Sequence, residues 1–391
     1  MIRPCRIFVA GAGLLSLAAC SLVSGDSARK PFGLAVGDEP IAVRAGAAAL
    51  AEGGSAADAV ATMYFALSVT YPVAAGIGGG GLCIVHEPSR RQDQEVDFLA
   101  RDAAHSGVYA VPGSVSGFAL VHSSYGKLPW QRVVADGEGV ASAGFQISHA
   151  LAPHLMDNRD VIRLDAGLAT EFLDESGNIK PEGSVVNNPA LAQTLAAIRT
   201  SGPAGLYEGS VAERLVAYSG GEGGAISASD LRTYVPGRGD ATSILIAEQS
   251  ISLPSRRVGA GAFLSAMLSA LVDRQHILDA PNNLAAKIAS ATKSTLDEFH
   301  LASVPRDLGA TGFAAIDNNG QAVACAVTMN GPFGSGHTAA GTGVVLARAP
   351  SSGGVGLAAA FLAPIIVQHA SSLTLVGAGA GWTKWFRGNG I

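Results

Sequence analysis

Apolar residues recur at helical spacing in several stretches of this chain. Residues 42–51 are alanine-rich and stop at a Gly-Gly pair, and Ser55 then begins a second apolar run with Asp58 three positions on. A serine followed by an acidic residue at this spacing is typical of a helix start, and glycine of a helix end. Further helices are predicted from Ser114 onward and over 188–201, 211–218, 227–234, 262–274 and 283–300.

Short buried strands are predicted where the apolar pattern changes. Residues 312–317 and 321–329 are strand-like and are separated by Asn-Asn-Gly, which predicts a β-hairpin. Additional strands are predicted at 82–85, 341–347, 362–368 and 373–379. Helices flanking a mostly antiparallel, glycine-rich sheet predict a layered α/β (α+β) fold.

Composition narrows the classes of partner. Glycine accounts for 50 of 391 residues and charged residues for 15%, against typical values of about 7% and ~25%. A net charge of -5 argues against nucleic acid as a partner. The nine histidines show no paired metal spacing, so we expect neither a metal nor an organic cofactor.

The N-terminus predicts export. Two arginines precede an apolar run over residues 7–19, and Leu17-Ala18-Ala19-Cys20 follows the pattern of a bacterial lipobox. We therefore predict a lipoprotein signal at 1–19, a lipid anchor on Cys20 and a flexible tether through residue 34. The chain would be a periplasmic lipoprotein of the bacterial cell envelope, anchored in the outer membrane. An ordinary signal with a chance cysteine is the alternative.

Two cysteines remain besides Cys20. Cys83 and Cys325 each lie in an apolar, strand-like run, which favours buried small hydrophobes over a metal site. A disulfide between them is the alternative in an oxidising compartment.

Five segments together resemble the gamma-glutamyltranspeptidase (glutathione hydrolase) family, and the resemblance extends in the same order over about 35–381. They are residues 42–85, 111–130, 188–215, 223–234 and 317–336. The resemblance implies a four-layer αββα amino-terminal nucleophile fold, made as a precursor that cleaves itself into two subunits. It also implies that the gamma-glutamyl group of glutathione or related amides is hydrolysed or transferred.

On this resemblance, residues 35–309 correspond to the large subunit and 310–391 to a small subunit that we expect to be truncated at its C-terminus. The family's Thr-Thr-His triplet, whose first threonine is the nucleophile, becomes Ala310-Thr311-Gly312. Ala310 has no oxygen, so Thr311 is the candidate nucleophile. After cleavage its own α-amine, with a pKa near ~8, would be the base.

The remaining site positions are also carried over from the family. Thr328 corresponds to a threonine that supports the nucleophile and Asn330 to an asparagine that contacts substrate. Two apart on a strand, they would face the same side. Arg101 corresponds to the arginine that binds the substrate carboxylate, with a surface salt bridge as its alternative role.

Backbone N–H groups of Gly379 and Gly381 correspond to the oxyanion-binding segment. The family's serine pair becomes Ala360-Phe361. The acidic residue expected for the substrate ammonium is missing, because no Asp or Glu follows Asp317.

Two main hypotheses follow. In the first, cleavage before Thr311 gives an active enzyme, although a shift of one residue turns a side chain to the other face of a strand. In the second, the chain is an uncleaved lipoprotein that binds a ligand or partner without catalysis. A third has an active Thr311 that cleaves an amide lacking an α-ammonium group.

Overall fold

The structure, a computed structural model, describes residues 32–105, 107–221, 226–246, 248–271, 284–301, 303, 307–352, 357–370 and 372–380. The chain divides into the units Met1–Pro31 and Phe32–Ile391, and all described residues belong to the second. Cys20 and Gly381 lie outside the described residues, so the predicted lipid anchor and one oxyanion glycine have no structural counterpart here.

Fifteen helices and sixteen strands are assigned among the described residues. The helices are α1 Pro40–Ala51, α2 Ala56–Thr70, α3 Pro72–Ala75, α4 Ser114–Tyr125, α5 Trp130–Ala143, α6 Ala152–Asp157, α7 Arg159–Leu164, α8 Ala166–Phe172, α9 Pro189–Ser201, α10 Ala204–Tyr207, α11 Gly209–Gly221, α12 Ala228–Thr233, α13 Gly259–Leu271, α14 Leu284–Glu298 and α15 Leu357–Ala360. The strands are β1 Gly33–Gly37, β2 Gly80–His86, β3 Gln94–Asp97, β4 Arg101–Asp102, β5 Ala110–Val111, β6 Phe145–Gln146, β7 Val185–Val186, β8 Gly237–Asp240, β9 Thr242–Ile246, β10 Gln249–Leu253, β11 Ala310–Asp317, β12 Ala322–Thr328, β13 Thr338–Ala339, β14 Val344–Val345, β15 Leu362–His369 and β16 Ser372–Ala380.

Two antiparallel sheets form the centre of the fold. The larger has the strand order β1-β11-β12-β2-β3-β8 and the smaller the order β16-β15-β10-β9. Helices α1, α2 and α4 cover the outer face of the larger sheet, and α13 lies against the smaller one. The predicted αββα layering is present.

Helix α2 is buried along its whole length and begins at the predicted capping box. The Ser55 hydroxyl accepts a hydrogen bond from Asp58 N at 3.2 Å, and Asp58 Oδ2 accepts one from Ser55 N at 2.8 Å. The same carboxylate oxygen accepts the backbone N–H groups of Lys127 and Leu128. The cap therefore also fixes the loop after α4 against α2.

Small side chains let the two sheets approach each other. The alanines at 314, 322, 324 and 326 are fully buried and face Leu362, Ile366 and the neighbouring residues of the smaller sheet. On the other face of β11 and β12, Phe313, Cys325 and Val327 pack into the large core beneath the helices. Alternate residues of each strand thus enter two different cores.

The predicted hairpin is confirmed as β11 and β12. Ala310 pairs with Thr328 and Ile316 with Ala322. In the turn, Asp317 Oδ1 accepts the N–H of Asn319 at 2.7 Å, and Gly320 has φ +84°. That conformation suits glycine, as the turn sequence indicated.

One strand prediction was too long, and several helices were missed. The expected strand over 341–347 is reduced to Val344–Val345, because Gly341 and Gly343 have φ values of +70° and +67° and bend the chain. Helices α5 to α8 were not predicted, since their apolar positions are few and broken by glycine, histidine and aspartate.

The prediction that the two cysteines are unpaired small hydrophobic residues was wrong, because Cys83 and Cys325 form the disulfide that was the alternative. They are paired residues of β2 and β12, with a Cα–Cα distance of 4.1 Å, and both are fully buried. The sequence could not show this pairing, because 242 positions separate the two residues. The bridge joins the two subunit-like regions of the chain.

Membrane-spanning helices and metal-binding clusters are both absent from the part of the chain that the structure describes. None of its helices combines the length and apolar character needed to cross a membrane. Nor does it contain a group of three or more His, Cys, Asp or Glu residues arranged to hold a metal ion.

The disulfide gives a stability prediction. The Cys83→Ala/Cys325→Ala variant should lose about 2–4 kcal/mol in the free energy of unfolding, because the bridge closes a long loop in the unfolded chain. Chemical denaturation under non-reducing conditions measures the difference. The wild type in excess dithiothreitol should lose a similar amount, whereas the variant should not respond to reduction. Equal stability of variant and wild type would contradict the assignment.

Candidate functional site

The start of β11 places Ala310 and Thr311 on opposite faces of the larger sheet. Ala310 faces the smaller sheet and packs against two apolar clusters, one that includes Leu82 and Ala326 and one that includes Phe361. Thr311 points to the helix side, is 1% exposed, and donates a hydrogen bond from Oγ1 to Asp38 Oδ2 at 2.8 Å. The side chain of Thr311 therefore lies on the opposite face of the sheet from the position that a threonine at residue 310 would take.

The peptide bond between Gly309 and Ala310 is held by two donors. Its carbonyl oxygen accepts the backbone N–H of Met329 at 2.8 Å and the hydroxyl of Thr328 at 3.1 Å. Gly309 has φ +52°, and a Cβ there would lie 1.9 Å from the carbonyl oxygen of Gly331. Only glycine fits this position. Two hydrogen-bond donors on one carbonyl oxygen polarise the carbonyl group, which favours attack of a nucleophile on its carbon.

Thr328 and Asn330 both lie beside this peptide. Thr328 is paired with Ala310 and faces the same side of the sheet, and its Oγ1 also accepts the N–H of Asn330 at 2.9 Å. Asn330 lies beyond the end of β12 with φ +57°, so strand alternation does not decide where its side chain lies. Its amide donates to the carbonyl oxygen of Arg348 at 2.9 Å.

Arg101 lies in β4, on a segment that passes close to the hairpin. A Cβ on Gly80, which pairs with Thr328, would lie 2.1 Å from the backbone N of Ala100. The Arg101 side chain is exposed, and its guanidinium carbon lies 4.8 Å from the centre of the Tyr234 ring. This cation–π contact takes the place of the salt bridge considered from sequence.

Gly379 lies within β16 and pairs with Ala363. The backbone of β16 packs directly on β11, since a Cβ on Gly312 would lie 2.3 Å from the carbonyl oxygen of Ala378 and 2.7 Å from Gly379 N. No larger side chain fits at 312, where the family triplet has histidine. A cavity of about 260 Å³ opens here, lined by Asp38, Gly312 and residues 375–380.

Acidic groups missed from sequence surround the same end of the sheet. Asp38 is exposed and follows β1, and Asp307 Oδ1 accepts the N–H of Gly309 at 2.8 Å. Burial raises the pKa of Tyr71, and the negative charges of Asp38, Asp307 and Glu39 raise it further. The acids were sought after the hairpin, whereas Asp307 directly precedes it and the pairing of β1 with β11 brings Asp38 and Glu39 from the other end of the chain.

Arg348 was also missed. Its guanidinium carbon lies 3.9 Å from the position that a Cβ on Gly331 would take, which places a cation next to the hairpin end. The residue follows the short strand β14 by three positions, and no sequence signal singled it out. The site thus combines Thr328, Asn330, Asp38 and Arg348 around a peptide bond that lacks its expected nucleophile, whereas Thr311 lies on the other face.

Similar proteins place this arrangement in a family. A model described as Gamma-glutamyltranspeptidase matches residues 42–282 and 255–352. Glutathione hydrolase 2 of Arabidopsis thaliana is 28% identical over 76% of this chain and 62% of its own length. The Glutathione hydrolase proenzyme of Pseudomonas sp. (strain A14) is 27% identical over 80% of this chain and 66% of its own length. The chain thus spans about two thirds or less of these relatives.

Solved structures agree with this. The gamma-glutamyltranspeptidase of Helicobacter pylori superposes with a TM-score of 0.64 at 25% identity, over 69% of this chain and 83% of that one. A cephalosporin acylase of Bacillus halodurans has the same TM-score at 18% identity, over 87% and 76% of the two chains, a likeness of fold alone. The amino-terminal nucleophile fold implied by the sequence is confirmed, and the chain belongs to the gamma-glutamyltranspeptidase family.

Proposed function

We propose that this protein binds gamma-glutamyl amides such as glutathione without cleaving itself or its ligand. One observation carries this proposal: Ala310 faces the smaller sheet and has no hydroxyl, and the nearest hydroxyl in sequence, on Thr311, is buried on the helix side. The sequence did not decide between an enzyme cleaved before Thr311 and an uncleaved binding protein, because both hypotheses depend on the direction of the Thr311 side chain. Cleavage before Thr311 requires its hydroxyl to attack the Ala310 carbonyl carbon, but that hydroxyl is buried and donates to Asp38 instead.

The ligand would lie in the cavity beside Asp38. The Asp38 carboxylate, which lines this cavity and accepts the Thr311 hydroxyl, would accept the substrate ammonium as a further donor, and residues 377–380 line the same cavity. Arg101 and Arg348 supply the nearby cations for the ligand carboxylates. Charge-assisted hydrogen bonds of this kind position a ligand even where no bond is broken.

A second candidate function is hydrolysis of an amide by Thr311. The observation that favours it is the 2.8 Å hydrogen bond from Thr311 Oγ1 to Asp38, which is the distance between a nucleophile and its base. Cleavage between Ala310 and Thr311 would have to free the α-amine of Thr311 and turn its side chain toward the cleft. The burial of Thr311 makes this the weaker candidate.

We further propose that the protein is exported and anchored by a lipid on Cys20. The signal-like N-terminus and the Cys83–Cys325 disulfide support this, since disulfides persist in oxidising compartments. Protein purified from its own membranes should have the mass of the chain from Cys20 plus acyl groups. A mass that begins at Met1 would contradict the proposal.

Self-cleavage separates the two candidate functions. The purified mature protein, reduced and denatured, should give one species of full mature mass after long incubation, because Ala310 provides no hydroxyl. Intact-mass spectrometry checks this. Two fragments, one ending at Ala310 and one beginning at Thr311, would exclude the proposed function and establish Thr311 as the nucleophile.

Ligand binding is tested by calorimetric titration with glutathione. We expect measurable binding without release of free glutamate, and Asp38→Asn should weaken it about tenfold or more by removing one charge-assisted hydrogen bond. The exposed Asp174→Asn, away from the cavity, is the matched control and should bind as the wild type does. No binding, or equal loss in both variants, would contradict the proposed site.

A further inference from the structure

A second and larger cavity shares no lining residue with the candidate site. Its volume is about 520 Å³, within the range of roughly 300–1,000 Å³ that is typical of small-molecule sites. It lies between α8, the start of α9, α11 and the loop around β13. Its polar side chains include those of Asp165, Glu171, Asn188, Tyr218, His337 and Thr338.

Glu171 is the unusual member of this lining. The residue is 7% exposed, and its Oε2 accepts a hydrogen bond from Asn188 Nδ2 at 2.9 Å. Among the described residues, no donor is recorded for its other oxygen, Oε1. Glu171 also borders a small inner cavity of about 10 Å³, room for roughly one water. Oε1 is not among the fully buried atoms that lack a partner, so it reaches accessible space, where water or the donor of a ligand satisfies it.

The other charged groups do not supply that donor. Lys180 donates to the backbone carbonyl of Glu171 at 2.8 Å and not to its carboxyl. Asp165 is occupied by Thr338, whose N and Oγ1 donate to it at 2.8 and 2.6 Å. His337 shares a hydrogen bond through Nδ1 with the hydroxyl of Tyr109 at 2.6 Å.

The balance of charge in the lining selects the class of ligand. Two carboxyl groups and one histidine line the cavity, and none of the described residues that line it is Lys or Arg. The two cations at its edge are engaged by backbone carbonyls, since Arg214 Nη1 donates to Gly341 and Lys180 Nζ to Glu171, both at 2.8 Å. A neutral apolar molecule would leave Glu171 Oε1 without a donor. We propose that this cavity binds a small organic cation through a primary ammonium group, with Glu171 as the acceptor. This site is independent of the proposed gamma-glutamyl site.

Binding at this site should depend on pH in a definite direction. Burial raises the pKa of Glu171 to about 8, against the opposing effects of the Asn188 hydrogen bond and the Lys180 charge. Below that pH the carboxyl is protonated, and a cation must displace its proton. Affinity should therefore rise with pH, by roughly tenfold per unit below the pKa of the carboxyl. His337, the paired Asp165 and the Tyr218 hydroxyl line the same cavity.

The experiment uses n-butylamine as the probe, titrated into the full-length protein at pH 6.5 and 8.5. Ligand-observed NMR detects weak binding, and n-butanol and butyrate are the neutral and anionic comparisons. We expect saturable binding of the amine alone, at least tenfold tighter at pH 8.5. Failure of the amine to bind at either pH, or equal binding of the alcohol, would overturn the proposal.

Variants locate the binding. Glu171→Gln keeps the shape of the side chain and its bond to Asn188, and should lose tenfold or more in affinity together with the pH dependence. The matched control Glu175→Gln, at an exposed turn nearby, should behave as the wild type. Ala340→Trp fills the cavity from an exposed rim position, so it should also abolish binding with the carboxyl intact. Unchanged binding in a folded Glu171→Gln or Ala340→Trp protein would overturn the assignment, and thermal melting verifies that each variant is folded.

Discussion

The register of β11 against β12 is the constraint on which the candidate site depends. Pairing Ala310 with Thr328 puts both residues on the face toward the smaller sheet, and it sends Thr311 to the helix side. The same register brings Met329 N and the Thr328 hydroxyl to the carbonyl of Gly309. A shift of one residue would exchange the two cores of the sheet, because each strand contributes alternate side chains to both. Packing therefore prevents Thr311 from replacing residue 310.

The surroundings of Ala310 match its lack of a hydroxyl. Ala310 packs against two apolar clusters, one with Leu82 and Ala326 and one with Phe361, and Gly312 is covered by the backbone of β16. The polar groups that remain, on Thr328 and Asn330, are satisfied by backbone partners. These polar groups thus hold the chain itself, and residue 310 supplies no oxygen for covalent catalysis.

Sequence predicted the layers, the hairpin and the helix caps because these depend on local patterns. The capping box at Ser55 and the Asn-Asn-Gly turn are examples in which neighbouring residues decide the conformation. Contacts between distant segments were not predictable. The Cys83–Cys325 bridge and the approach of Asp38 to Thr311 both join parts of the chain more than 200 positions apart. No periodicity encodes such contacts.

The hairpin holds the Gly309 carbonyl between two donors, and residue 310 has no hydroxyl to attack it. The most direct measurement is the intact mass of the Ala310→Thr variant, with Ala310→Val as a control of equal size. The account predicts that Ala310→Thr divides between residues 309 and 310, because Thr328 and Met329 already polarise that carbonyl. Ala310→Val should stay a single chain. A folded Ala310→Thr protein that remains uncleaved would contradict the account.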